Sequence, residues 1–495
     1  MCHSDANRKT TSQYNALDEP TSVVVTDLVT QGGQSVTSAT TTAQYDDLGR
    51  ITQLADPDRG TPTYTYDGDG HMLTDVSGTR TIGYVYDLLG RLGCVQNMTP
   101  TESATGACTS GATQYVKNTY DTTTLGTQGT TDFPVGRLTK SITTTHYPDS
   151  SYAQVSELYQ HDKRGRLIDE QSSFPNLPGN WNVTTALPSY KMQESYNDAN
   201  QVTTITTSTN PAGQGYTTTQ VYDSATGVQT GLSDNGTATA DLATLSFNAR
   251  AQLDTVSFQT SSGTALASEQ FSYDANLRAT GANSIWLSGS GTSGTVFNQS
   301  DTYDPASNIT SLTTTQATIS GFSSSGGSET SNFCYDEQNR LVWASNSGTQ
   351  PGAGNGTCGS GTLSSGLSGA SYSDSYVYTH LGQLYQAPLN GGSTQEQYLY
   401  CGSSTNAPHQ LVGLYPTSSG ATCSNYTTKT ADYSSSYDTF GNVTSRSTSG
   451  TTGTLSYDLL DQLTKWFVLM TLIKDSCWMC WKRLELIVVS MRYPR

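Results

Sequence analysis

Polar and apolar positions along the chain do not follow one simple period. A seven-residue unit recurs instead, and the segments between its copies are Thr-rich and often alternate, as in Gln201-Val202-Thr203-Thr204-Ile205. Such alternation predicts β-strands. Three close copies define the unit: Tyr45-Asp46-Asp47-Leu48-Gly49-Arg50-Ile51, Tyr66-Asp67-Gly68-Asp69-Gly70-His71-Met72 and Tyr86-Asp87-Leu88-Leu89-Gly90-Arg91-Leu92. They recur about every 20 residues, a spacing typical of repeat architectures. No sustained helical period occurs before residue 466. Ser/Gly-rich stretches near 280–300, 318–330 and 345–375 read as long hairpin loops.

The unit reads as a β-hairpin turn. Position one, aromatic, ends a strand. Asp or Asn at position two accepts hydrogen bonds from following backbone N–H groups and opens the turn. Position five is mostly Gly, Asn or Asp, types that tolerate the positive φ of a type I turn closed by a G1 bulge. Position six is long and polar and turns away. Position seven, usually aliphatic, starts the return strand and meets position one on the same face.

Looser copies begin at His161, Tyr196, Phe247, Tyr273, Tyr303, Tyr378, Tyr437 and Tyr457; Tyr335-Asp336 leads closely to Asn339-Arg340-Leu341, and Tyr14-Asn15 to Asp18 is a worn first copy. The repeated Tyr-Asp-x-x-Gly-Arg-Leu pattern resembles the YD-repeat family, also called Rhs proteins, from about Tyr14 to Trp466. The resemblance implies an all-β fold, an antiparallel strand ribbon spiralling into a partial hollow β-shell over residues 1–466. Family members include bacterial Rhs polymorphic toxins, the cages of insect-toxin complexes and the extracellular shell of teneurins. In the toxin members the shell encloses a C-terminal toxic domain. The implied role is therefore a structural shell segment, its partner a toxin encoded downstream; the alternative is a surface module that binds carbohydrate. The family's Asp-Pro-x-Gly-Leu-type ending is absent, since Asp56-Pro57 and Asp304-Pro305 lie inside repeats without the following Gly-Leu. No catalytic residue is carried over, and the chain reads as too short at both ends to close a shell.

Composition fits a thin, curved sheet. Of 495 residues only 34% are hydrophobic and 13% charged, with 30 Tyr against 10 Phe, too few aliphatic groups for thick two-sided cores. The net charge of −17, with only short basic groupings such as Lys163–Arg164, argues against nucleic-acid binding. The start lacks a basic and apolar leader, and no run of about 18 apolar residues forms a membrane span.

Residues 467–495 differ in composition, carrying Trp478, Trp481, Met470, Met479 and several basic residues. An amphipathic or buried helix and a membrane-surface helix both fit. A frameshift fits better: back-translated and read from the third base of each codon, the segment from Met470 to Cys477 permits Tyr-Asp-Ala-Asn-Lys-Arg-Leu-Val, close to Tyr335–Val342. No function is then read into the tail, including the CxxC spacing of Cys477 and Cys480.

Six of nine Cys form three local pairs, each flanking one long inter-repeat loop: Cys94 with Cys108, Cys334 with Cys358, and Cys401 with Cys423. Disulfides there would staple polar loops and imply an oxidising, extracellular or cell-surface location. The six His form no ligand-spaced cluster. His71 fills the arginine position, His161 the tyrosine position and His380 a turn position; His3, His146 and His409 stand apart. No Gly-x-Ser-x-Gly elbow lies in a strand–helix context, and the Ala353–Gly356 loop has no following helix to bind phosphate. The expectation is a protein with no enzymatic site, no cofactor and no metal. The tyrosine column reads as cross-strand aromatic packing, with a sugar-stacking surface as the lesser alternative. Sequons such as Asn97-Met98-Thr99 matter only in a host that glycosylates them.

Overall fold

A computed structural model describes residues 2–469 apart from 5–7, 28–37, 99–107, 109–113, 128, 177–188, 211–214, 235–241, 261–263, 288–293, 319–325, 349–356, 360–361, 368–370, 380, 389–394, 404–405 and 449–450. The tail from residue 470, with Cys477, Cys480 and the shifted-frame reading, lies outside these residues. So do His380, the His3 side chain, Thr99 and the 353–356 loop.

The chain is almost entirely β-strand, with no α-helix among the described residues and only two short 3-10 turns, Thr417–Ser419 and Tyr426–Thr428. From Cys2–Ser4 to Leu341–Ser345 each strand pairs antiparallel with the next in sequence, building a sheet of 28 strands that is not closed. A second sheet of eight strands continues the pattern from Val377–Tyr378 to Leu463–Leu469. The last strand crosses the 466/467 boundary. Apart from Gly327–Tyr335 and Leu341–Ser345, which also pair with the short strands between 357 and 375, every pairing joins consecutive strands, so the architecture is a ribbon of consecutive hairpins.

The hairpins arise at the seven-residue unit. Position one pairs with position seven, as in Tyr45 with Ile51, Tyr86 with Leu92 and Tyr335 with Leu341, and the register shifts by a bulge just before each tyrosine. Position five takes positive φ throughout: Gly49 at 77°, Gly70 at 92°, Gly90 at 75°, Asn339 at 61° and Asp461 at 59°. Ala251 at 59°, Leu277 at 68° and Ser307 at 73° adopt it too, without glycine's freedom. There the hydrogen-bonded turn overrides residue preference.

Two stretches differ from the loop expectation. Residues 280–300 are mostly paired, in strands Ala279–Trp286 and Gly294–Tyr303. The small residues serve close strand approach: a Cβ on Gly281 would lie 2.5 Å from the Gln299 carbonyl oxygen. Within 318–330 the strand Gly327–Tyr335 starts early, whereas 345–375 holds only the short strands Thr357–Cys358, Ser364–Ser365 and Ser373–Ser375 among its described residues.

Packing is thin, as the composition implies. Thr139, Ser233, Asn332 and Ser345 are fully buried beside the few large apolar side chains such as Trp343 and Ile82. Cross-strand hydroxyl pairs occupy sheet positions where other proteins place aliphatic contacts: Thr206 with Thr217 at 2.9 Å, Thr313 with Thr330 at 3.0 Å, Thr65 with Thr74 at 2.6 Å. One small apolar cluster, Leu399, Tyr415 and Ala421, lies under the excursion that carries the 3-10 turns.

Disulfides join Cys94 to Cys108, Cys334 to Cys358 and Cys401 to Cys423, closing segments of 14, 24 and 22 residues. Closures of this length stabilise a domain by about 2–4 kcal/mol each. Native protein is therefore expected to leave these six sulfurs unalkylated by iodoacetamide until a reductant is added, and reduction to lower Tm; mass spectrometry showing them modified without reductant overturns the pairing.

Candidate functional site: an inter-repeat clamp

Most turns are held by their own position-two carboxylate. Asp46 N–H donates to Arg50 O, and Gly49 N–H to Asp46 O, both at 3.0 Å. Oδ1 of Asp46 accepts from the backbone N–H of Leu48 at 2.9 Å and of Arg50 at 3.0 Å. Oδ2 accepts from Arg50 Nε at 2.7 Å. The same three bonds recur at Asp87–Arg91, Asp162–Arg166, Asp274–Arg278 and Asp336–Arg340.

Position six does not turn away; its guanidinium reaches into the next repeat. Arg50 donates to the Asp67 carbonyl at 2.8 Å and lies 4.8 Å over the Tyr66 ring. The Tyr66 hydroxyl in turn donates back to the Ile51 carbonyl at 2.8 Å. Arg91 over Tyr120, Arg166 over Tyr196, Arg278 over Tyr303 and Arg340 over Tyr378 repeat the stack at 4.3–4.7 Å. Tyrosine hydroxyls return to the preceding position-seven carbonyl at Tyr120, Tyr196, Tyr222, Tyr273, Tyr335 and Tyr437. The column is therefore knit by arginine and hydroxyl rather than by the expected tyrosine-on-tyrosine contact, and one ring face in these repeats meets a guanidinium instead of solvent.

Substituted positions keep the logic. Asn197 Nδ2 donates to Gln201 Oε1 at 2.8 Å, and Asn248 to Gln252 at 3.1 Å, so an amide at position two is matched by an amide at position six. His71 replaces arginine, bonding Asp67 at 2.9 Å and stacking on Tyr86 at 4.7 Å. Asp67, Asp69 and His71 each place a ligand-type atom within 4.8 Å of the others, but the Asp67–His71 contact is the turn's own two-to-six bond. His161 sits at a strand end with Asp132 Oδ1 on its backbone N–H, and His146 bonds the Gln114 carbonyl at 2.9 Å.

Three copies escaped the sequence reading because their turns are longer. Tyr120 pairs with Leu138, Tyr222 with Gln229 and Tyr400 with Leu411. The first has Asp121 N–H on Arg137 O across an expanded turn. The Tyr-Asp pairs at 120–121 and 222–223 were the available signal; their spacing to the return strand hid them.

The ribbon also returns on itself. Arg80, only 8% exposed, donates to Asp461 Oδ1 at 2.8 Å and covers the Phe440 ring at 4.4 Å. Asp58 accepts from His409, at 3.0 Å from the backbone and 2.6 Å from Nδ1, and Gln410 reaches the Asp58 carbonyl at 3.2 Å. A cleft of about 760 Å³ opens along this seam, lined in part by Asp56, Asp58, Tyr437 and Asp438.

Among solved structures, the Tc holotoxin pore of Photorhabdus luminescens matches with a TM-score of 0.57 at 16% identity, covering 94% of this chain and 22% of that one. The TcdB2–TccC3 structure without its hypervariable C-terminal region gives 0.58 at 17% identity, covering 95% and 22%. The ribbon has a YD-repeat shell fold. TcdB2–TccC3 with Cdc42 matches equally, at 0.57 and 17% identity. The YD-repeat ribbon described here thus spans about a fifth of the length of these chains, 22%. No protein-family model matches the sequence, and no curated protein matches it. No helix among the described residues is long and apolar enough to cross a membrane.

Two predictions follow from the clamp's chemistry. Asp46→Asn places an amide against the Arg50 guanidinium and is expected to lower Tm; adding Arg50→Gln recreates the Asn–Gln pair and recovers part of the loss, whereas purely additive losses in the double variant refute the pairing. Asp46, Asp87 and Asp274 are held below the ordinary carboxylate range, chiefly by the backbone N–H of Arg50, Arg91 and Arg278. A depressed folded value means their stabilisation is full above the unfolded value of about 4 and is lost as pH falls through the lower folded values. Half-buried Asp75 and Asp458 are shifted the other way by desolvation and oppose this trend. Thermal melts are expected to show Tm falling below about pH 4, with a shallower fall in the triple Asn variant of Asp46, Asp87 and Asp274; identical profiles count against the clamp.

Proposed function

We propose that this chain is a structural, non-catalytic segment of a shell whose intact form encloses a toxin and delivers it to another cell in intercellular competition. The observation that carries the reading is the seam, where a ribbon of purely local pairings meets itself across 381 residues at Arg80–Asp461 and 351 residues at Asp58–His409. A ribbon that winds back against its own edge makes a wall. The similarity to the Tc-toxin structures supports the same reading. The three disulfides support an extracellular location, where such bonds persist, and the net charge of −17 suits a large exposed β-surface.

The test is to express the chain together with the coding sequence on both sides of it and image the product by electron microscopy. A hollow particle that shields a downstream domain from added protease is the expected result. An open ribbon whose downstream domain is digested freely, and which binds a glycan array, would instead favour the carbohydrate-binding surface module.

A further inference from the structure

We propose that the rim formed by the first Tyr-Asp turns, with Leu17, Leu48, Leu88 and Leu89 at its tips, is a docking surface for the opposite rim of another YD-repeat ribbon, which a second copy supplies in a solution of this chain.

All Tyr-Asp turns lie along one rim of the ribbon, and the connections between repeats lie along the other, including 56–60, 77–80 and 147–151. The seam shows what the first rim does when it meets the second. Two late Tyr-Asp turns, at 438–441 and 458–461, and the expanded turn after Tyr400 at 401–410 on the same rim, seat on early connecting turns. Ala407 N–H donates to the Pro57 carbonyl, and a Cβ on Gly441 would come within 2.9 Å of the Asp58 carbonyl oxygen. Arg80 covers Phe440, and the Tyr115 hydroxyl meets the Leu459 backbone.

One sequence occurs on both the covered and the bare rim. Tyr457-Asp458-Leu459-Leu460 at the seam repeats Tyr86-Asp87-Leu88-Leu89 near the start. At the seam both leucines are partly buried. In the early copy Leu88 is 105% exposed and Leu89 75% exposed. The turn geometry is the same, with Asp87 and Asp458 each accepting from the two backbone N–H groups that follow. Beyond the shared four residues, position five is Asp461 at the seam and Gly90 in the early copy, and position six is Gln462 against Arg91.

Bare leucines occupy three of the first four tips. Leu17 and Leu48 are 66% and 72% exposed on the first two tips, the third tip carries Gly68 and Asp69 instead, and Arg50 ties the second turn to the Asp67 carbonyl of the third. The paired Leu88 and Leu89, whose counterparts at the seam are covered, mark this rim as an interaction surface. Exposed Asp47 and Asp69 sit among them, matching connecting turns that carry arginine, as Arg59 and Arg80 do at the seam. The inference rests on the shell reading for a further ribbon layer, but not on what the shell encloses.

The experiment is sedimentation velocity of the full chain over a concentration series, with a benzophenone photo-cross-linker placed at position 88 in parallel. Wild type is expected to self-associate reversibly. Leu88→Ser with Leu89→Ser, at positions too exposed to disturb folding, is expected to raise the concentration needed at least tenfold with an unchanged circular dichroism spectrum, and the cross-linker to capture connecting turns of the second copy. A monomeric wild type, association that ignores the substitutions, or cross-links outside connecting turns overturns the proposal. None of these outcomes bears on whether the intact shell protects a cargo domain, so the two readings fail separately.

Discussion

The structure depends on how one aspartate carboxylate divides its two oxygens. One oxygen closes the turn by taking two backbone N–H groups, and the other fixes the side chain at position six. Held at that end, the Arg50 guanidinium has a single direction left, over Tyr66 and onto the Asp67 carbonyl. Turn closure and repeat-to-repeat attachment are therefore one event. Charge-assisted bonds of this geometry are among the stronger polar contacts available to a half-exposed site, and they let the ribbon grow without a thick apolar core.

That division explains the composition. Each repeat finds its partners in the next repeat's backbone and ring, so few residues need a hydrophobic interior. Threonine hydroxyls pair across strands, as at Thr313 and Thr330, and even fully buried positions such as Thr139 and Ser345 are small and polar. Three segments that leave the repeat pattern carry a disulfide, and the Cys401–Cys423 segment adds the small cluster of Leu399, Tyr415 and Ala421.

The strand ribbon and its turns were legible because one residue type serves each position. Tyr45, Asp46, Gly49 and Arg50 state the turn outright, and the positive φ at Gly49 follows from its identity. The reach of position six was not legible, since sequence shows a long polar side chain without showing what stands one repeat away. Expanded turns at 121–137 and 401–410 hid repeats because the reading relied on fixed spacing. The seam was invisible for a different reason: nothing in a repeat encodes how far the ribbon must travel before it meets itself, so Arg80 and Asp461 look like any other surface pair.

Because every clamp reaches only the following repeat, each hairpin can settle onto the one already emerged from the ribosome, without waiting for the rest of the polypeptide. The seam contacts, Arg80–Asp461 and Asp58–His409 among them, are the exceptions, since their two halves leave the exit tunnel 381 and 351 residues apart. An early rim must stay unpaired and in solution for that interval. Biosynthesis thus divides into a long vectorial stage and a late step in which the seam is made.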